Sequence, residues 1–227
     1  MAHKITVAID GPAGAGKSTV SKQVANELGY LYIDTGAMYR AVTWYVLQQN
    51  IALTNKKAIA ALLSQIDLHM EASKMGLCVA VNGIDVTQAI RKADVTAAVS
   101  EVAAVKAVRI FLVEQQRQMA KAGGVILDGR DIGSVVLPKA DLKIYLTASV
   151  ETRAKRRWLE IKDKEKSLSL DAIKKSVEER DYKDMHRDES PLVCVPDAVV
   201  VDSSTYSFEE TVQKIKQLII DKEGKNA

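Results

Sequence analysis

The chain has 227 residues, of which 47% are apolar, 27% charged and 5% aromatic, and its formal net charge at pH 7 is +3. This suits one globular domain with a real core, and the apolar runs are too short for a membrane span or a secretory signal, so a cytoplasmic protein is expected. Two cysteines outside any CxxC or Cys/His cluster, Cys78 and Cys194, exclude a disulfide framework and a structural zinc, and sparse aromatics argue against a nucleic-acid surface.

Short apolar runs alternate with helical periods, which predicts an α/β fold with a parallel sheet of about five strands and crossover helices. The first strand, Lys4–Asp10, runs into IDGPAGAGKST (residues 9–19). Val20, Val24 and Leu28 then recur at helical spacing, and Gly29 stops the helix. A second strand, Leu31–Asp34, opens DTGAMYR (34–40), where Thr35 is a suitable helix cap and Arg40 projects a turn or more further on. In LCVAVNGIDVT (77–87), Asn82-Gly83 joins two apolar runs as a type I′ hairpin turn would, so a small antiparallel insert is expected over roughly 66–100.

Strand Val125–Asp128 leads into DGRDIG (128–133), and Leu142–Thr147 and Ala198–Asp202 supply two more strands. TRAKRR (152–157) gives one helix face a cationic stripe, the polar stretch 160–170 reads as a mobile flap, and ERDYKDMHR (179–187) spaces Arg180, Asp184 and Arg187 along one face. Residues 151–187 hold twelve Lys/Arg against nine Asp/Glu, a surplus that a phosphorylated small molecule accounts for. Near the end, Ser207 and Glu210 form a capping box ahead of an apolar stripe of Phe208, Val212, Ile215 and Ile219.

Gly11 to Ser18 fits G-x-x-x-x-G-K-[ST] between a strand and a helix, the context in which this motif holds phosphates. Backbone N–H groups of Gly11, Pro12, Ala13, Gly14, Ala15 and Gly16 (proline lacking its own), with the following helix N-terminus, would cradle the phosphates. Lys17 would reach the β- and γ-phosphates, Ser18 would offer a hydroxyl to Mg²⁺, and Thr19 would add a further contact. Glycines at 11, 14 and 16 do not fit the dinucleotide fingerprint, and Asn55-Lys56-Lys57-Ala58 lacks the aspartate of a guanine-reading motif. The expected ligand is therefore a nucleoside triphosphate rather than a dinucleotide, and a GTPase is not expected. Arg40, Arg130, Arg153, Arg157, Arg180 and Arg187 supply the cationic groups that a small kinase needs for an acceptor and a transferring phosphate. Asp128 would either support Mg²⁺ through water or serve as a structural strand-end carboxylate. Two other readings fit these residues: a P-loop kinase for another small acceptor, and a non-catalytic nucleotide-dependent, RNA-associated protein.

IDGPAGAGKST, DTGAMYR, the hairpin insert, DGRDIGSVV, TRAKRR and ERDYKD through SPLV (190–193) together resemble the bacterial-type cytidylate kinases, a branch of the nucleoside monophosphate kinases, along nearly the whole chain. The resemblance implies ATP-dependent phosphorylation of CMP and dCMP, with Mg²⁺, and a monomer without membrane or nucleic-acid partners is expected. It implies one P-loop kinase domain made of a core (about 1–34, 123–150 and 190–227), a monophosphate-binding region with the β insert (about 35–122) and an arginine lid (about 151–170). By motif position, Arg40 and Arg130 would hold the acceptor phosphate, Thr35, Arg109 and Asp131 would read the cytosine, and Arg180 and Asp184 would hold the ribose. Lys17, Arg153, Arg157 and Arg187 would meet the transferring phosphate. A carboxylate at 131 suits the exocyclic amine of cytosine, and a guanidinium at 109 suits its ring acceptors.

Overall fold

The structure is a computed structural model that describes residues 4–73, 76–161 and 169–226. In chain order its elements are β1 (Thr6–Asp10), α1 (Lys17–Leu28), β2 (Leu31–Asp34), α2 (Thr35–Gln48), α3 (Lys56–Leu62), β3 (Leu68–Ser73), β4 (Gly76–Val81), β5 (Ile84–Asp85), α4 (Ala93–Ala103), α5 (Lys106–Ala120), β6 (Val125–Gly129), β7 (Leu142–Thr147), α6 (Val150–Ile161), α7 (Leu170–His186), β8 (Val199–Asp202) and α8 (Phe208–Asn226). The chain divides into two compact units, residues 1–33 with 119–227, and residues 34–118. None of the described helices is long and apolar enough to cross a membrane.

The first unit is built on a five-stranded parallel sheet in the order β2-β6-β1-β7-β8. Apolar side chains of β1, β6 and β7 form one core with Val20 and Val24 of α1 and Val212, Ile215 and Ile219 of α8. Each such fully buried aliphatic side chain contributes about 1.5–3 kcal/mol. Phe208 was expected in the stripe of α8 but is 40% exposed, because it occupies the first helical position and burial begins a turn later at Thr211 and Val212. At the other end of the core, α1 stops at Gly29, whose left-handed backbone caps the helix as its position suggested. The parallel register sets Ile9 opposite Asp128 and Asp10 opposite Gly129. The segments after β1 and β6 therefore leave the sheet side by side at its carboxyl edge, the position where open α/β sheets carry ligands.

In the second unit, β3, β4 and β5 form a three-stranded antiparallel sheet. Asn82 (φ 52°) and Gly83 (φ 77°) both take the left-handed backbone that the expected two-residue turn requires. The insert is not antiparallel through residue 100, however. Residues 93–103 are helix α4, because Val95, Ala98, Val99 and Val102 recur at helical spacing and are buried. Helix α2 begins at Thr35, but its cap is Asp34 rather than Thr35: the Asp34 carboxylate accepts a hydrogen bond from the Ala37 N–H at 2.8 Å. The flap expected over 160–170 falls mostly on residues 162–168, which lie outside the described residues.

Candidate active site

The loop after β1 lies tightly against the sheet. A Cβ at Gly11, where φ is +149°, would meet the carbonyl oxygen of Leu146 at 2.0 Å, so only glycine fits there. Lys17, at the start of α1, is buried and folds back over the loop, donating from Nζ to the carbonyls of Gly11 (2.7 Å) and Pro12 (2.8 Å). Burial, reinforced by the nearby Arg130 charge, lowers its pKa well below that of an ordinary lysine. A phosphate here would restore a partner for that charge. Thr19 is exposed.

Ser18 Oγ donates to Asp128 Oδ2 at 2.8 Å, and Tyr32 on β2 donates to Asp128 Oδ1 at 2.7 Å. A hydroxyl and a carboxylate in contact are the hard oxygen donors that Mg²⁺ takes when nucleotide phosphates supply other ligands. Among the described residues no group of three or more His, Cys, Asp or Glu could hold a metal. The donor set therefore fits a cation that arrives with its nucleotide and not a fully protein-ligated one.

Two residues beyond Asp128, the chain leaves β6 and makes a π-helical turn over Ile132–Val136. Asp10 at the end of β1 anchors it, accepting hydrogen bonds from Ile132 N (2.8 Å) and Gly133 N (2.7 Å). Burial raises the Asp10 carboxyl to about 6 against the pull of those two N–H groups. Ahead of the turn, Arg130 Nε donates to Asp184 Oδ2 on α7 at 2.8 Å, and Arg187 Nη2 lies 3.7 Å from Asp131 Oδ1 as a buried ion pair. Burial opposes ionisation of both Arg130 and Asp184, but their mutual attraction outweighs it, so the guanidinium is held charged and the carboxyl lies below its usual range. Arg180 also acts on this group, its charge favouring ionised Asp184. One unit thus brings Arg130, Asp131, Asp184 and Arg187 together at the strand edge that carries Ser18 and Asp128.

The arginines of α6 have three different surroundings. Arg153 is buried against Asp181 and the Ala13 carbonyl, whereas Arg157 is exposed and pairs with Glu160 at 3.1 Å. Arg156, which the sequence offers only as a member of the cationic face of TRAKRR, donates to Ser203 Oγ (3.1 Å) and Ser203 O (2.8 Å) in the segment after β8. In the second unit, Arg40 pairs with Asp34 at 3.2 Å, and Thr35 is buried beside it in sequence. Arg109 is buried with its guanidinium 5.3 Å from the centre of the Tyr39 ring, and donates to Ala103 O at 3.1 Å.

The sequence reading gave Asp10, Tyr32, Asp181 and Arg156 no site role of their own because their partners are distant in the chain. Asp10 and Ile132 are 122 positions apart, and Asp181 and Ala13 are 168 apart. Only the position of Asp10 at a strand end, beside the phosphate motif, could have drawn attention to it.

Residues 7–221 match the family model described as cytidylate kinase. A cytidylate kinase of Desulfitobacterium hafniense is 49% identical over 224 residues, covering 98% of this chain and 95% of that protein. One from a Geobacillus species is 48% identical, covering 99% and 100%. Among solved structures, an uncharacterized protein of Eubacterium ventriosum aligns over 96% of this chain and 99% of its own with a TM-score of 0.55 and 11% identity, a likeness of fold alone. With the family pattern spanning nearly all of its length and close to half of its residues shared with these relatives, the chain belongs to the cytidylate kinase family.

Proposed function

We infer that the protein transfers the γ-phosphoryl group of ATP to cytidine monophosphate, and to its deoxy form, giving ADP and the (deoxy)cytidine diphosphate. Family membership supports the reaction. The observation that carries it into this chain is the pair of neighbouring groups at one sheet edge: Lys17, Ser18 and Asp128 on one side, and Arg130, Asp131, Asp184 and Arg187 on the other.

Phosphoryl transfer needs positioning and charge neutralisation more than covalent help from the protein. Lys17 is poised to exchange two loop carbonyls for phosphate oxygens, a favourable exchange for a buried ammonium. Ser18 and Asp128 would hold Mg²⁺, which would neutralise phosphate charge and fix the geometry of the chain of phosphates. Arg130, held charged by Asp184, would take the acceptor phosphate, and Arg187 and Arg157 would meet the transferring one. Asp131 would accept from the cytosine amine, and Arg180 and Asp184 would hold the ribose. On motif position alone, Arg40 joins in holding the acceptor phosphate, and Thr35 and Arg109 in reading the base. The enzyme would work as a cytoplasmic monomer.

The test is ADP release with CMP, dCMP, UMP, AMP and GMP, on wild type and on Asp131→Asn. CMP and dCMP should be used far better than the others. Asp131→Asn keeps the shape beside Arg187 but adds a donor that suits the uracil carbonyl. A mispaired buried polar group costs roughly 1–3 kcal/mol, so the CMP/UMP ratio of kcat/KM should fall by about ten-fold or more in the variant. ADP release that is independent of acceptor would overturn the kinase reading, and an unchanged ratio would remove Asp131 from base recognition.

A further inference from the structure

Ala13 lies in the middle of the phosphate loop, and both of its peptide groups are held by side chains from outside the loop. Asp181 on α7 accepts from the Ala13 N–H through Oδ1 at 3.1 Å. Arg153 on α6 donates from Nη1 to the Ala13 carbonyl at 2.9 Å and to Asp181 Oδ2 at 2.6 Å. Its Nε is also engaged, donating to Ala148 O at 2.9 Å. Arg153 is 4% exposed and Asp181 is 7% exposed. The next loop residue is packed as closely, since a Cβ at Gly14 would lie 3.3 Å from Arg153 Cβ.

We propose that Arg153 and Asp181 are a positioning pair that sets the phosphate loop for the triphosphate, and that Arg153 is not a contact of the transferring phosphate. The proposal rests on the reading that this loop takes the triphosphate of ATP. A glycine-rich loop left to itself samples many backbone conformations, and fixing one of them opposes ligand binding. A pair that grips both the N–H and the carbonyl of one residue fixes the peptide orientation on folding, before nucleotide arrives. The two charges cancel, so the pair brings no net repulsion to an incoming polyanion, which Asp181 alone would do. For Arg153 to reach a phosphate it would have to abandon Asp181, leaving a buried carboxylate unpaired. The sequence offers Arg153 as one of a cationic row. The structure gives it a different task from Arg157, which is exposed four residues later.

The experiment measures binding of a non-hydrolysable ATP analogue by calorimetry, together with kcat and KM for each substrate, in wild type, Asp181→Asn, Arg153→Lys and the double variant. Both single variants should raise the analogue Kd and the KM for ATP about ten-fold, and kcat should change far less. The double variant should be no worse than the poorer single, because the two side chains act as one unit. A kcat loss of about 10³ in Arg153→Lys at unchanged analogue affinity would make Arg153 a transition-state contact and overturn the proposal. Variants that bind the analogue as wild type does would overturn it as well. If wild type itself fails to bind the analogue, it is the ATP reading of the loop that fails. Amide exchange at Ala13 in nucleotide-free wild type tests the clamp without any substitution, which covers the case of variants that do not fold. Protection is expected, and exchange at the rate of an open loop would overturn the pair.

Discussion

Asp10 shows how a single residue joins two motifs. Its carboxylate is 6% exposed and accepts hydrogen bonds from Ile132 and Gly133, so the end of the strand before the phosphate loop holds the turn that follows Asp131. Burial raises its pKa from 3.8 to about 6, with Asp131 adding repulsion and Lys17 relieving part of it. Between those two values the folded chain holds more protons than the unfolded one, so stability falls as pH rises through this window and is regained on acidification. Asparagine does not titrate. In urea unfolding, wild type should therefore gain about 1 kcal/mol relative to Asp10→Asn when the pH is lowered from 7 to 5. A difference that is the same at both pH values would mean that the carboxyl is not raised. Little of this was legible beforehand. Lys17 and Ser18 could be proposed from the sequence because the phosphate-loop motif fixes their types at a local spacing, and Arg130 because of its place in a motif of the resembled family. Asp10 and Asp181 serve other protein groups, and no local spacing announces a partner more than a hundred positions away.

Elements were legible where the pattern was local. The capping box of α8 is present in both directions: Ser207 Oγ accepts from Glu210 N at 3.1 Å, and Glu210 Oε2 accepts from Ser207 N at 2.7 Å. Removing the hydroxyl leaves an amide at the helix start without its acceptor, and because α8 packs on the sheet through Val212, Ile215 and Ile219 the loss is felt in the core. Ser207→Ala should cost about 1 kcal/mol and lower Tm by roughly 2–4 °C, with kcat at 25 °C unchanged. A Tm equal to that of wild type would show that the helix start contributes nothing to its docking. The Asn82-Gly83 turn was equally readable, since few dipeptides accept two left-handed residues. Helix α4 was not read as a helix. Its sequence, ADVTAAVSEVA, mixes valine and threonine with alanine, so strand-favouring residues obscured a helical period that burial of Val95, Val99 and Val102 against the rest of its unit makes decisive.

Across the whole molecule, charge separates a small-molecule kinase from a nucleic-acid binder. The net charge of +3 is small, and the substrates are polyanions that meet buried cations such as Lys17 only after approaching through solvent. Approach is sensitive to screening, whereas the contacts made after docking are shielded from salt by burial. Raising KCl from about 20 mM to about 300 mM shortens the Debye length from about 20 Å to about 6 Å. At saturating ATP, kcat/KM for CMP should therefore fall by roughly three- to ten-fold over that range, with kcat changing less, because most groups proposed for the chemical step, Lys17 among them, are buried. A protein that neutralises many phosphates of a nucleic acid would instead lose about 10³ or more in affinity over a similar range. The measurement is a pair of salt titrations, one of kcat/KM for CMP and one of retention on single-stranded RNA. A flat kcat/KM would mean that the field of the protein takes no part in capturing CMP. Tight RNA retention at low salt that collapses as KCl rises would show a polyanion surface that the sparse aromatics and mild charge of this chain do not suggest.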